Sequence, residues 1–366
     1  MPRLPLAVAG LVLLLAGCGQ AVPQTSPGTA APTPSATVSQ VQPAGDPEVV
    51  LSGLGLPWSI ARLDGETLIS QRDDGRILSL GADGELREVG VVPDVRHGGE
   101  GGLLGLAVLE TGDGAWVYAF HTTSDDNRIV RMAYRDGALG EPEVVLAGIA
   151  RAGNHNGGRI AFGPDGMLYA TTGDAAMPAL SQDPGSLNGK ILRLTPEGAA
   201  PDDNPFPGSP VYSLGHRNPQ GIAWDDEGRL WAAEFGQNTW DEFNLIEAGA
   251  NYGWPVVEGQ AGESGYVDPI LQWATSEASP SGLAFVDGTF FLAALRGERV
   301  WAIYVDDAGR ASATPWFAGE YGRIRDVAAG PDGSLWFLTS NTGGNGSPRD
   351  GDDKLLQVAL EPLAEG

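Results

Sequence analysis

From about Leu54 onward the chain alternates short apolar runs with turn-forming residues, and the pattern repeats itself. An Asp-Gly type turn leads directly into an apolar strand six times: Asp64-Gly65 before TLIS, Asp113-Gly114 before AWVYAF, Asp165-Gly166 before MLYAT, Asp226-Glu227-Gly228 before RLWAA, Asp287-Gly288 before TFFLAAL and Asp332-Gly333 before SLWFL. With Thr67, Trp116, Leu168, Leu230, Phe290 and Leu335 as markers, the spacings are 49, 52, 62, 60 and 45 residues. Each unit carries an apolar strand before its turn (SIARL, LAVLE, RIAFG, GIAWD, GLAFV, RDVAAG). Another follows a polar loop (GRILSL, NRIVRM, GKILRL, EFNLI, RVWAIYV, DKLLQV). Asp-Gly between apolar runs is a hairpin signal, because a type I′ turn asks for positive φ at both central residues. Units of this length, each a small antiparallel sheet unable to cover its own faces, close radially. The expectation is an all-β protein, a six-bladed β-propeller of four-stranded antiparallel sheets spanning residues 47–362. A β-sandwich shares the turn spacing but does not account for six copies of one hairpin.

The residues before the repeats read differently. Arg3, the apolar run Leu4–Leu15 and Leu15-Ala16-Gly17-Cys18 have the form of a lipoprotein signal, residues 1–18, in which the chain's one cysteine carries lipid. An ordinary cleaved secretory signal or an uncleaved anchor is the alternative; each puts the folded part outside the cytoplasm. Residues 19–46, rich in Pro, Ser, Thr and Ala, read as a disordered tether. Lys and Arg number 22 against 47 Asp and Glu, a net charge of −25, which argues against nucleic acid or an anionic membrane surface as partner. An anionic ligand would need placed arginines.

In a propeller, residues at one phase of every repeat meet around the axis. Just ahead of successive first strands stand Glu100, His155, Arg217 with Asn218, and Arg323 with Arg325, while Arg296 closes a strand in AALRGERV. Arginines converging at one mouth form a forked donor set for a ligand with several carboxylates. Ion pairing with the abundant Asp and Glu is the plain alternative. The densest stretch is Gly215–Pro255, where GHRNPQG precedes an Asp241-Glu242 pair and the turn NYGWP.

GEGGLLGLA, NHNGGRIAFGPDG, LNGKILRL, DNPF, GHRNPQG, DEFNLIEAGANYGWP and GRIRDV, in this order, resemble the soluble pyrroloquinoline-quinone (PQQ)-dependent sugar dehydrogenases, a family of six-bladed propellers. The resemblance runs from about Leu54 to Leu360. It implies a PQQ-dependent aldose (glucose-type) dehydrogenase that oxidises the C1 hydroxyl to a lactone. His155 falls at the general-base position; an imidazole, titrating near neutrality, suits proton abstraction. Arg217 and Asn218 match a cofactor-contacting pair, with the guanidinium near the quinone oxygens where charge develops, and Arg323 and Arg325 match the binders of the cofactor carboxylates. Arg296 stands where a lysine is usual and Glu100 where some members have glutamine. The resemblance also implies calcium: the carbonyls of Gly236 and Gln237 for a quinone-bound ion acting as Lewis acid, and Glu242 with the carbonyl of Tyr252 for a structural one. Gln237 departs from the family's frequent proline. Electrons would pass to an unidentified acceptor in or near the membrane. A calcium-dependent lactone hydrolase and a non-catalytic binding propeller remain as other classes. The sugar preference would be set by loops such as Met177–Ser186 and Gln260–Tyr266.

Overall fold

The computed structural model describes residues 1–2, 40–63, 65–112 and 114–363; the signal segment, Cys18 and most of the tether lie outside them. Among the described residues no helix is long and apolar enough to cross a membrane. The chain forms six antiparallel sheets arranged as a six-bladed β-propeller, and among the described residues its one α-helix is the short Ala179–Gln182. Five sheets have four strands, and that of residues 103–149 has a fifth.

The ring closes by a device the hydrophobic pattern does not announce. Val41–Leu51 is a strand, paired antiparallel to Leu355–Pro362 from Val41 opposite Pro362 onward, and completes the sixth sheet from the other end of the chain. The folded domain therefore begins at residue 41 instead of 47, and the segment read as tether gives up its last six residues. An otherwise open strand edge is covered by this pairing.

The hairpin turns form where expected, with different geometry. Among the described turns of the six repeats only Asp287-Gly288 has both residues at positive φ (43° and 78°); elsewhere the glycine alone does. In the turns at Asp165 and Asp332 the preceding Pro164 and Pro331 fix a negative φ, so the loop is longer than a two-residue I′ turn.

Six apolar clusters fill the core, one at each junction between adjacent blades. This follows from strands that are apolar on both faces: each sheet covers its two neighbours. At the axis the first strands approach closely. A Cβ on Gly282 would lie 2.0 Å from Asp326 Oδ1, and one on Gly221 2.4 Å from the Ser281 carbonyl, so side chains there would force the blades apart. The axis is pinned by a buried ion pair, Arg159 Nη1 to Asp326 Oδ2 at 2.9 Å, with the Arg159 guanidinium 4.3 Å from the Trp58 ring centre.

Candidate active site

All first strands start, and all second strands end, on the face opposite the Asp-Gly turns, and here the residues singled out by phase come together. His155 sits in left-handed backbone (φ 56°) ahead of the strand Ile160–Phe162. Its N–H donates to Glu100 Oε2 (2.8 Å) and its carbonyl accepts the Ala175 N–H (3.1 Å). These contacts hold a conformation costly to an L-residue. The ring Nδ1 lies 2.7 Å from Asp174 Oδ1, and Asp174 Oδ2 accepts the Trp254 indole N–H at 2.8 Å. A buried carboxylate facing Nδ1 fixes the proton there and leaves the Nε2 lone pair free, the tautomer a base needs.

Arg217 belongs to the same cluster. Its carbonyl accepts the Asp174 N–H (2.8 Å), its guanidinium lies 5.4 Å from the Trp254 ring centre, and Nη1 donates to the Phe235 carbonyl at 3.3 Å. Burial lowers its pKa, opposed by the carboxylates of Asp174, Glu234, Glu100 and Glu258. Asn218 Oδ1 accepts the Gly157 N–H at 2.9 Å. The segment is clamped from below by Glu234, which accepts the Arg217 and Asn218 N–H groups on one oxygen and faces His216 Nδ1 (2.7 Å) with the other. His216 is fully buried, bonded through Nε2 to Ser213 Oγ (2.8 Å) and stacked on Tyr252, contacts that order the loop.

Arg325 is buried, and Nη1 donates to Gln220 Oε1 (3.0 Å) and Ser281 Oγ (3.3 Å). Burial pushes it down to about 9, with Arg323 and Arg72 acting in the same sense and Glu100 against them. It still carries its charge at neutral pH. Burial also lowers Arg323, offset by Glu298 and Glu100. Glu100 thus lies within the field of Arg217, Arg323 and Arg325. Arg296 closes the same end of the fifth blade but is exposed, and no contact ties it to the other cations.

Two observations bear on ligands. The Nε atoms of Arg217 and Arg325 are each buried without a hydrogen-bond partner, a costly state that a bound anion would relieve. A small hollow beside Arg217 is lined by Glu234, Glu242, Glu258, Gly236 and Tyr252. There Glu242 is pushed up to about 8 by burial and by Glu234. A cation would reverse that. Among the described residues no three His, Cys, Asp or Glu side chains are grouped to hold an ion, so backbone carbonyls would have to complete the coordination.

Asp174, Glu234, Trp254 and Glu258 were not assigned roles from the sequence. Asp174 and Glu234 carry a signal that could have found them: each is an acid at the site end of its blade's second strand, in TTGDA and AAEFG. Trp254 lies in the NYGWP turn already singled out, but nothing local pairs it with Asp174, and Glu258 carries no signal for the turn it enters.

The sequence model of glucose/sorbosone dehydrogenases matches residues 54–348. A PQQ-bound aldose sugar dehydrogenase from Streptomyces coelicolor has a similar structure, with TM-score 0.83 and 50% identity, covering 88% of this chain and 98% of that one. The aldose sugar dehydrogenase of Escherichia coli is 29% identical over 81% of this chain and 90% of its own length. Quinoprotein glucose dehydrogenase B of Acinetobacter calcoaceticus is 34% identical over 60% of this chain and 54% of its own length. With an imidazole, a buried acid and several arginines at one end of a six-bladed ring, and with that match across most of its length, this chain belongs to the glucose/sorbosone dehydrogenase family.

Proposed function

We propose that the protein oxidises the C1 hydroxyl of aldoses to lactones, with PQQ as hydride acceptor and calcium beside it. The observation that carries this reading is the His155–Asp174 contact at 2.7 Å, with Trp254 bonding Asp174 and lying against the buried Arg217 guanidinium. A planar polycarboxylate suits the arginines gathered at this end of the ring. Arg217, Asn218, Arg323 and Arg325 would hold the quinone, with the exposed Arg296 as a further candidate for one of its carboxylates. The carbonyls of Gly236 and Gln237 would serve the quinone's calcium, and Glu242 with the Tyr252 carbonyl a structural one. When bound, the quinone and its calcium supply a two-electron acceptor.

The chain's own part is proton chemistry and orientation. His155 Nε2 takes the hydroxyl proton, and Asp174, 2.7 Å from Nδ1, stabilises the imidazolium that results. Trp254 holds Asp174 by its indole N–H and stacks on Arg217, so base and cation keep a fixed relation. The Arg217 guanidinium would stabilise negative charge on a bound quinone. A cleft of about 400 Å³ bounded by Pro178, Gln237, Trp254 and Val256 shares Trp254 with these groups and would receive the sugar. The signal-like N-terminus supports an extracytoplasmic, Cys18-tethered enzyme near its electron acceptor.

The test is reconstitution of metal-free protein with PQQ and calcium, followed by dye reduction with a panel of aldoses. Turnover that His155→Ala removes, with PQQ still bound, is the expected result. Lactone hydrolysis without quinone, or no PQQ binding at all, would overturn the reading.

A further inference from the structure

The turn that follows the strand Leu230–Glu234 points four consecutive peptide N–H groups at one atom. Those of Gln237 (2.7 Å), Asn238, Thr239 and Trp240 (each 3.2 Å) all donate to Glu258 Oε1. Successive N–H groups wrapped around one oxygen form an anion nest, with the carboxylate as its built-in occupant. Among the described residues Glu258 has no ion-pair partner, so the nest is what holds it.

Planarity turns this into a statement about the other side of the chain. In a trans peptide the N–H and the preceding C=O point in opposite directions. Drawing the N–H groups of Gln237–Trp240 inward therefore turns the carbonyls of Gly236, Gln237, Asn238 and Thr239 away from Glu258. Two further restraints lock the turn. The Gly236 N–H donates to Asp241 Oδ1 at 2.9 Å, and a Cβ on Gly236 would stand 1.7 Å from the Trp240 carbonyl, so only glycine permits the approach. The carbonyls of Gly236 and Gln237 are thus aligned before any ion arrives.

We propose that Glu258 is a positioning residue for the calcium at Gly236 and Gln237: its carboxylate, seated in the nest, presets those two carbonyls as an oxygen-donor pair. The inference rests on the calcium reading above. It assigns Glu258 no direct bond to the ion; removing it leaves the carbonyls present and loosens their aim. Partners that orient metal ligands typically change affinity by about 10- to 100-fold when lost.

Glu258→Gln keeps an acceptor oxygen without the charge, and Glu258→Ala removes both. Amide hydrogen exchange of residues 237–240 in EDTA, followed by calorimetric titration of each metal-free protein with calcium in the presence of PQQ, separates the two claims. The expected results are faster exchange at 237–240 in Glu258→Ala, calcium affinity about 10-fold weaker for Glu258→Gln and about 100-fold weaker for Glu258→Ala. Unchanged exchange in Glu258→Ala overturns the nest. Calcium affinity within twofold of wild type in both variants, while exchange speeds up, overturns the positioning role and leaves the calcium reading standing. Failure of the wild type itself to bind calcium with PQQ overturns both.

Discussion

Asparagine at position 174 would keep the shape of the side chain and remove one acceptor oxygen. Asp174 Oδ1 faces His155 Nδ1 at 2.7 Å and accepts the Ala176 N–H at 2.8 Å, while Oδ2 accepts the Trp254 indole N–H at 2.8 Å. An amide can accept on one side only. With its oxygen toward His155, the NH₂ opposes the indole N–H, which is left buried and unpaired, and Trp254 is the ring against which Arg217 stacks. With its oxygen toward Trp254, the NH₂ opposes His155 Nδ1; the ring then accepts there only by moving its proton to Nε2, and the base is lost. Either way the charge that stabilises the imidazolium disappears. The comparable asparagine substitution in the serine-protease triad, where an aspartate likewise faces the Nδ1 of the catalytic histidine, lowers kcat about 10⁴-fold. We expect Asp174→Asn to lower kcat by about 10³- to 10⁴-fold, equivalent to about 4–5.5 kcal/mol of barrier, with PQQ binding kept. Steady-state dye reduction by the reconstituted variant, beside His155→Ala, measures this. A kcat within tenfold of wild type would refute the claim that Asp174 sets the tautomer of His155.

The axial ion pair and a buried histidine give predictions that need no ligand. Asp326→Asn retains an acceptor for the Ile60 N–H, which Asp326 Oδ2 now binds at 2.8 Å, but leaves Arg159 a buried, uncompensated cation. We expect a loss of about 3–5 kcal/mol, read from the urea midpoint; a loss under about 1 kcal/mol would mean that the pair does not pin the ring. His121 is buried with both ring nitrogens unpartnered, and burial, then Arg128, push it down to about 4, against Asp126 and Asp94. The folded protein thus keeps it neutral while the unfolded chain takes a proton near pH 6.5. Stability should be lost as pH falls from about 6.5 to about 4, by on the order of 3 kcal/mol from this group. His121→Leu should flatten that part of the stability curve; an unchanged slope would show that the histidine does not drive it.

The sequence by itself determined the architecture, because turn chemistry and apolar runs are local signals and a unit repeated six times can bury its faces only in a closed ring. It also set the phase of Glu100, His155, Arg217 and Arg325, since equivalent positions in a radial repeat become neighbours. Three things were left to the tertiary structure. Val41–Asp46 has no strand pattern of its own and becomes a strand because Leu355–Pro362 presents an edge to be paired. Glu258 looks like a surface acid until the turn 237–240 folds over it. Arg159 and Asp326, 167 residues apart, find each other at the axis. Each depends on a partner brought from another part of the chain, and a linear pattern carries no record of which distant group will supply the missing hydrogen bond or charge.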